Sequence, residues 1–302
     1  MEKISVILDT DIGSDVDDAV CLAYLLKEKR CDLKGIITVS GESDKRAELA
    51  SMLCKIAGKD DIPIFAGCDK PICGNPLQPY AASSVVLSNH PHNSYNISFE
   101  HIEFMAEIIR NNPNEITLIT IGPLTNIAIL FASYPDIPSL VKKVVVMGGV
   151  YATDEYGTLP EWNIRCDTYA ANIVFNSNAE IYCCGLDVTM QVHMEVEKAA
   201  KEFSKNSLMQ AVAEMATAWF SKEESNWFYK CPTITFHDPL TAVALFNDDV
   251  CKFEKGNVKL DMTAGEHRGC IEWSPDENGK HHVAMEVDVE KFFNHYFSTV
   301  NQ

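Results

Sequence analysis

The sequence predicts an α/β fold, a single domain (1–302) with a mainly parallel central sheet flanked by helices. Two observations predict it. Short β-branched apolar runs alternate with segments of helical period from the N-terminus to beyond residue 180, and strands separated by helices pair in parallel, because each helical crossover returns the chain to the same end of the sheet. Composition agrees: 302 residues, 46% hydrophobic and 23% charged, with 15 Gly and 13 Pro, make a packed globular chain and exclude disorder, collagen and coiled coil.

The elements follow in order. Ile4 to Leu8 is a short apolar strand, and Asp17 to Arg30 carries Val20, Ala23 and Leu26 at helical spacing. Leu33 to Val39 reads as the next strand, Asp44 to Ala57 as a helix stopped by Gly58, and Ile62 to Ala66 as a third strand, giving βαβαβ. From Gly67 to Asn96 runs a stretch rich in Pro, Asn, Ser and His, too long for a simple connection, so it covers a site or is mobile. Phe99 to Asn111 is a helix, Ile116 to Ile121 a strand, Pro123 to Tyr134 a helix with Pro in its first turn, and Val144 to Met147 a strand. A second irregular stretch, Val150 to Cys166, precedes a helix near Thr168 to Phe175 and a strand near Ile181 to Cys184. Helices follow at Glu195 to Ser204, Leu208 to Lys222 and from His237 through Leu245. Strands around Val258 and Val283 and a last helix, Val289 to Phe297, complete the chain. No linker, repeat or low-complexity tract divides it.

Twenty-five basic against 43 acidic residues leave a net charge of −18, the wrong sign for nucleic acid or an anionic membrane. Eleven cysteines lie scattered in apolar runs without CxxC pairs or zinc spacing, which reads as free thiols in a reducing cytosol. No apolar stretch approaches the ~18 to 20 residues of a membrane span, and no secretory leader opens the chain. The expectation is a soluble cytoplasmic protein.

Open parallel sheets bind ligands beyond the carboxyl ends of their strands. Four polar loops occupy that position: 9 to 18, 40 to 43, 121 to 126 and 148 to 166. The first holds Asp9, Asp11, Asp15, Asp17 and Asp18, five carboxylates in ten residues. Such charges repel unless a divalent cation neutralises several of them, and oxygen ligands select a hard ion, Ca²⁺ or Mg²⁺. The bland alternative is a solvated acidic turn leading into a helix N-terminus. An EF-hand is excluded by its own spacing, since the places for its Gly and Glu hold Ser14 and Val20. A phosphatase of the haloacid dehalogenase type, with Asp9 as nucleophile and Asp11 as acid-base, is a rival.

Further motifs carry a resemblance. Ile121 to Ala128 reads IGPLTNIA, Met147-Gly148-Gly149 is followed by Glu161-Trp162-Asn163, and His237-Asp238-Pro239 closes the series. With the Asp-rich loop, this ordered set resembles the inosine-uridine-type nucleoside hydrolases over most of the chain. The resemblance implies a Ca²⁺ ion held by Asp11, Asp18, the carbonyl of Ile121 and Asp238, with Asp11 as the general base that activates water to attack the anomeric carbon of a ribonucleoside. It assigns Asp17, Glu161, Asn163 and Asp238 to the ribose hydroxyls, lays Met147 against the sugar, and gives His237 the leaving base to protonate or orient. Trp162 or Tyr229 could stack on the base, against the alternative that the aromatic run Trp227-Phe228-Tyr229 is core, and His90 could reach it from the long loop. Family members are commonly dimers or tetramers, so the resemblance also implies a homo-oligomer.

The chain departs from the family in places. Two extra residues separate Gly13 from the Asp17-Asp18 pair and Ile12 replaces the usual Pro, so Asp15 competes for a role. Glu42 follows Gly41 where the family often has Asn, and the stretch from Gly149 to Glu161 lacks the family's Gly-Asn spacing. A protein that kept the ion site only to sense a nucleoside is a further alternative.

Overall fold

The computed structural model describes residues 3–152, 159–221 and 233–302. β1 (Ile4–Thr10), α1 (Asp17–Lys27), β2 (Cys31–Thr38), α2 (Ser43–Ile56) and β3 (Ile64–Ala66) form the expected βαβαβ start. After a long connection come α3 (Glu100–Asn111), β4 (Ile116–Thr120), α4 (Thr125–Ser133) and β5 (Lys143–Met147). Next are α5 (Trp162–Cys166), α6 (Thr168–Phe175), β6 (Ile181–Cys184), α7 (Leu186–Thr189), β7 (His193–Glu195), α8 (Val196–Phe203) and α9 (Ser207–Phe220). The chain ends with β8 (Thr233–Thr235), α10 (His237–Phe246), β9 (Cys251–Leu260), β10 (Ile271–Pro275), β11 (His281–Val287) and α11 (Val289–Val300).

Nine strands make one sheet in the order β10-β9-β11-β6-β5-β4-β1-β2-β3, and β7 pairs with β8 apart from it. From β3 to β11 every neighbouring pair is parallel; β9 runs antiparallel to both β11 and β10. The strand order reverses between β1 and β4, so the connections leaving their carboxyl ends turn to opposite sides and open a crevice there.

Strands buried on both faces must be apolar at successive positions, and β1 is. Val6 and Leu8 pack with α1, α2, α9, α10 and α11 on one face, while Ile7 joins the cluster of α3, α4 and α6 on the other. Ile36 and Ile37 on β2, and Ala284 and Val283 on β11, divide the same way. The ten described cysteines are free thiols, and no helix among the described residues is long and apolar enough to cross a membrane.

The structure also contains what the sequence pattern misses. The connection expected to be irregular from 67 to 96 includes a 3-10 helix, Ala82–Asn89, and the one from 150 to 166 ends in α5. β10 alternates half-buried and exposed residues over five positions at the sheet edge, too short a period to read. β7 and β8 are three residues each, with one buried apolar residue apiece, Met194 and Ile234.

Candidate active site

At the carboxyl ends of β1 and β4, Asp9 lies opposite Thr120. The acidic loop that follows β1 is gathered by one buried cation. Arg46 on α2 is fully buried; its guanidinium donates to the carbonyls of Asp11, Ile12 (3.1 Å), Ser40 (2.7 Å), Gln78 (3.2 Å) and Tyr80 (3.4 Å), and to the Ser14 hydroxyl at 3.0 Å. Only a planar fork of donors serves so many acceptors at once. The Thr10 hydroxyl donates to Asp18 and accepts the Ile12 N–H at 3.2 Å, which tightens the loop further.

Asp17 and Asp18 lie in the first turn of α1, and Asp238 in the first turn of α10. These two turns meet, so that one carboxylate oxygen from each of the three residues lies within 4.8 Å of the other two. All three side chains are buried. Burial first, and repulsion among the carboxylates after it, pushes their pKa values well above the ordinary carboxylate range. Asp11 is raised by burial as well, with the Arg46 charge opposing. A donor set of carboxylate oxygens alone fits a hard divalent cation such as Ca²⁺.

Asp11 reaches the turn after β4. A Cβ on Gly122 would sit 2.7 Å from Asp11 Oδ1, so the close approach of the two loops requires glycine there. Four residues on, Asn126 donates from Nδ2 to Asp9 Oδ2 at 2.7 Å and to the Thr38 carbonyl at 3.1 Å, and accepts the Cys68 N–H at 3.0 Å. One amide thus ties β1, β2 and the segment after β3 together. Burial raises Asp9 to about 8. Buried inside the sheet and bonded to Asn126, Asp9 is no exposed nucleophile, which removes the structural basis of the phosphatase alternative.

Glu161 caps α5: its Oε1 accepts the Asn163 N–H at 2.9 Å, and its Oε2 accepts those of Ile164 and Gly149, each at 3.2 Å. Asn163 Nδ2 donates to the Ile121 carbonyl at 2.9 Å and the Met147 carbonyl at 3.3 Å, which brings these three expected site residues together. Trp162 between them is 46% exposed, and its indole N–H donates to Gln78 Oε1 at 2.7 Å. The other end of the same amide, Nε2, donates to Asp11 Oδ2 at 2.7 Å. A cavity of about 360 Å³ beside this turn, lined by Leu77, Pro160, Arg165, Asp167 and Arg268 among others, includes none of the clustered aspartates.

His237 precedes Asp238; its Nδ1 lies 2.8 Å from the Thr189 hydroxyl, and burial brings its pKa down to about 4. Asp15 stands outside the trio and accepts the N–H of Val16 at 2.6 Å. Glu42 pairs with Lys45 at 2.6 Å and accepts the Ala81 N–H at 3.0 Å. His90, expected at the base, is paired with Glu214 on α9 at 2.8 Å, a contact that ties the long connection to that helix. Tyr229 lies outside the described residues.

Three residues of this neighbourhood escape the reading of the sequence. Arg46 sits in Ser-Asp-Lys-Arg-Ala-Glu, which reads as an ordinary solvated helix face, and Gln78 is one of several amides in a long polar connection. Asp167 gathers the Ile72 N–H at 2.7 Å, the Thr125 hydroxyl at 2.8 Å and the Ala170 N–H at 3.0 Å. Its only available signal was its position just ahead of a predicted helix.

Comparison with known proteins places these motifs in one family. The model for inosine-uridine preferring nucleoside hydrolases matches residues 6–294. A probable uridine nucleosidase 2 of Oryza sativa is 29% identical over 300 residues, 95% of this chain and 83% of that one. The pyrimidine-specific ribonucleoside hydrolase RihA of Shewanella woodyi is 28% identical over 280 residues, covering 87% and 85% of the two chains. Among solved structures, a plant nucleoside hydrolase, PpNRh1, superposes with a TM-score of 0.85 at 22% identity over 99% of both chains. With the crevice at the β1–β4 reversal, the buried aspartates of α1 and α10 and a family match over nearly its whole length, the chain belongs to the inosine-uridine preferring nucleoside hydrolases, enzymes that act on ribonucleosides.

Proposed function

We propose that the chain works as one unit that hydrolyses the N-glycosidic bond of ribonucleosides with the help of Ca²⁺, releasing free base and ribose. The meeting of Asp17, Asp18 and Asp238 within 4.8 Å, all buried, carries this reading. Asp18, Asp238, Asp11 and the carbonyl of Ile121 would hold the ion. When bound, it supplies positive charge that offsets the carboxylates and makes a nearby water easier to deprotonate.

The residues do the rest. Asp11 takes the proton of the attacking water on its carboxylate. Asp17, Glu161 and Asn163 hold the ribose hydroxyls with Asp238, and Met147 packs against the sugar. Their negative charge favours the positive character that the sugar gains as the bond to the base stretches. His237, its ring steadied by Thr189, orients the leaving base. Uridine is the first substrate of choice, because relatives aligned along most of the chain are named for uridine and pyrimidine nucleosides. The reading extends to a cytoplasmic homo-oligomer, a dimer or tetramer, checked by light scattering.

The test is ribose release from a panel of purine and pyrimidine nucleosides with and without EDTA, then with Ca²⁺ restored. Activity lost to the chelator and regained with Ca²⁺ supports the reading and ranks the bases. Failure to cleave any nucleoside while Ca²⁺ binds would overturn it in favour of a sensor.

A further inference from the structure

Residues 78–81 form a strap pinned across two of the loops that border the crevice. The Ser83 N–H donates to the Gly13 carbonyl at 2.8 Å and the Glu42 N–H to the Pro79 carbonyl at 3.0 Å, while Ala81 and Arg46 add the bonds already described. Gly41 makes this contact possible: its φ is +57°, and a Cβ would stand 2.3 Å from the Pro79 carbonyl oxygen.

Within the strap, the Gln78 side chain joins two walls of the site. An indole N–H can only donate, so the atom facing Trp162 is Oε1; an ionised carboxylate can only accept, so the atom facing Asp11 is Nε2. The orientation of the amide follows from its partners. Glutamate could not donate to Asp11, methionine would do neither task, and asparagine is one methylene too short to span both.

We propose that Gln78 is a positioning residue for hydrolysis, a clasp that fixes the carboxylate of Asp11 against the turn that carries Glu161 and Asn163. The proposal rests on the reading of Asp11 as the base. Asp11 Oδ1 lies close against Gly122, and the amide bonds the other oxygen, so the clasp opposes rotation of the carboxyl group about its last bond. Trp162 lies between two residues assigned to the sugar, so the other end of the clasp sets where the sugar lies relative to the base. As a positioning residue Gln78 acts through its bonds to Asp11 and Trp162.

The experiment compares uridine hydrolysis by the full chain with Ca²⁺ in wild type, Gln78→Met, Gln78→Asn, Gln78→Glu and Trp162→Phe, each checked for unchanged thermal melting. Gln78→Met and Gln78→Asn should lower kcat about 10- to 100-fold, the usual effect of losing a supporting hydrogen bond at such a site, with KM changed less than about threefold. Gln78→Glu should lose more, since a carboxylate then faces Asp11. Adding Trp162→Phe to Gln78→Met should cost little beyond the larger single effect, because both break one clasp. Independently of turnover, ¹⁵N–¹H spectra of the four tryptophans should show one indole signal, assigned through Trp162→Phe, moving in Gln78→Met. A kcat within about twofold of wild type, or a loss confined to KM, overturns the positioning role. An unmoved indole signal overturns the clasp itself. A wild-type chain that cleaves no nucleoside overturns the hydrolase reading and the positioning role with it, while an indole signal that still moves keeps the clasp.

Discussion

Asp17, Asp18 and Asp238 crowd three carboxylates into one buried cluster, so on the proposed function the residues that would hold ion and sugar work against the stability of the metal-free chain. Asp17→Asn should therefore raise the melting temperature measured in EDTA, by an amount worth ~1 kcal/mol or more, and should slow ribose release at least about 100-fold in Ca²⁺. Unchanged melting would mean that the trio is relieved in some other way. Arg46 presents the opposite case. It is fully buried and donates to five carbonyls and a hydroxyl, so Arg46→Met leaves those acceptors unpaired; the expected loss is about 3 kcal/mol or more in urea unfolding. The aspartates were legible because five carboxylates after an apolar strand break the usual spacing of charge. Arg46 was not, because a burial that depends on three distant loops leaves no mark on the helix that bears it.

At the scale of elements, the βαβ alternation was readable because parallel strands buried on both faces are continuous apolar runs bounded by turn residues, as in Ile4 to Leu8 and Leu33 to Val39. The antiparallel edge was harder: β10 packs Ile271 and Trp273 while their neighbours face water, and five residues hold too few repeats of that pattern. β11, paired on both sides by β9 and β6, shows how a strand can hide a titratable group in its pairing. His281 accepts the Val258 N–H at Nδ1 (3.1 Å), and its Nε2 lies 3.0 Å from the Phe175 carbonyl, which joins β11 to β9 and to α6. Burial holds its pKa below the ordinary 6.5. The unfolded chain takes up a proton near that ordinary value while the folded ring resists, so the contribution of His281 to stability is full above 6.5 and is lost as pH falls through it toward the folded value. His281→Gln keeps an acceptor and a donor but cannot titrate. Its urea midpoint should fall less than that of wild type between about pH 7.5 and about pH 5.5; equal slopes would remove His281 from the account.

For the whole molecule, an excess of acidic groups, with a net charge of −18, surrounds a carboxylate trio that only the folded chain assembles, so on the proposed function the native state is the form that would bind a divalent ion. Calcium at about 100 times its dissociation constant should stabilise the fold by ~2.7 kcal/mol, read as a rise in melting temperature that EDTA reverses; magnesium, smaller and reluctant to shed water, should give less. The fold and the acidic half of the site were legible in one sequence because they are local patterns and short motifs. The clasp and the Arg46 hub were not, since each joins segments that only the tertiary fold brings near. The same geometry governs the order in which the enzyme comes into being. β1 is the first strand made, yet it lies between β2 and β4 in the sheet, and the acids of its loop meet their partner only at Asp238, near the far end of the sequence. Long-range pairing of this kind forms late. A growing chain on the ribosome therefore carries its acidic loop without the third carboxylate until Asp238 has been made, and on the proposed reading affinity for the ion would arise only once α10 has docked on α1, so that the ion would act as a seal on the folded site.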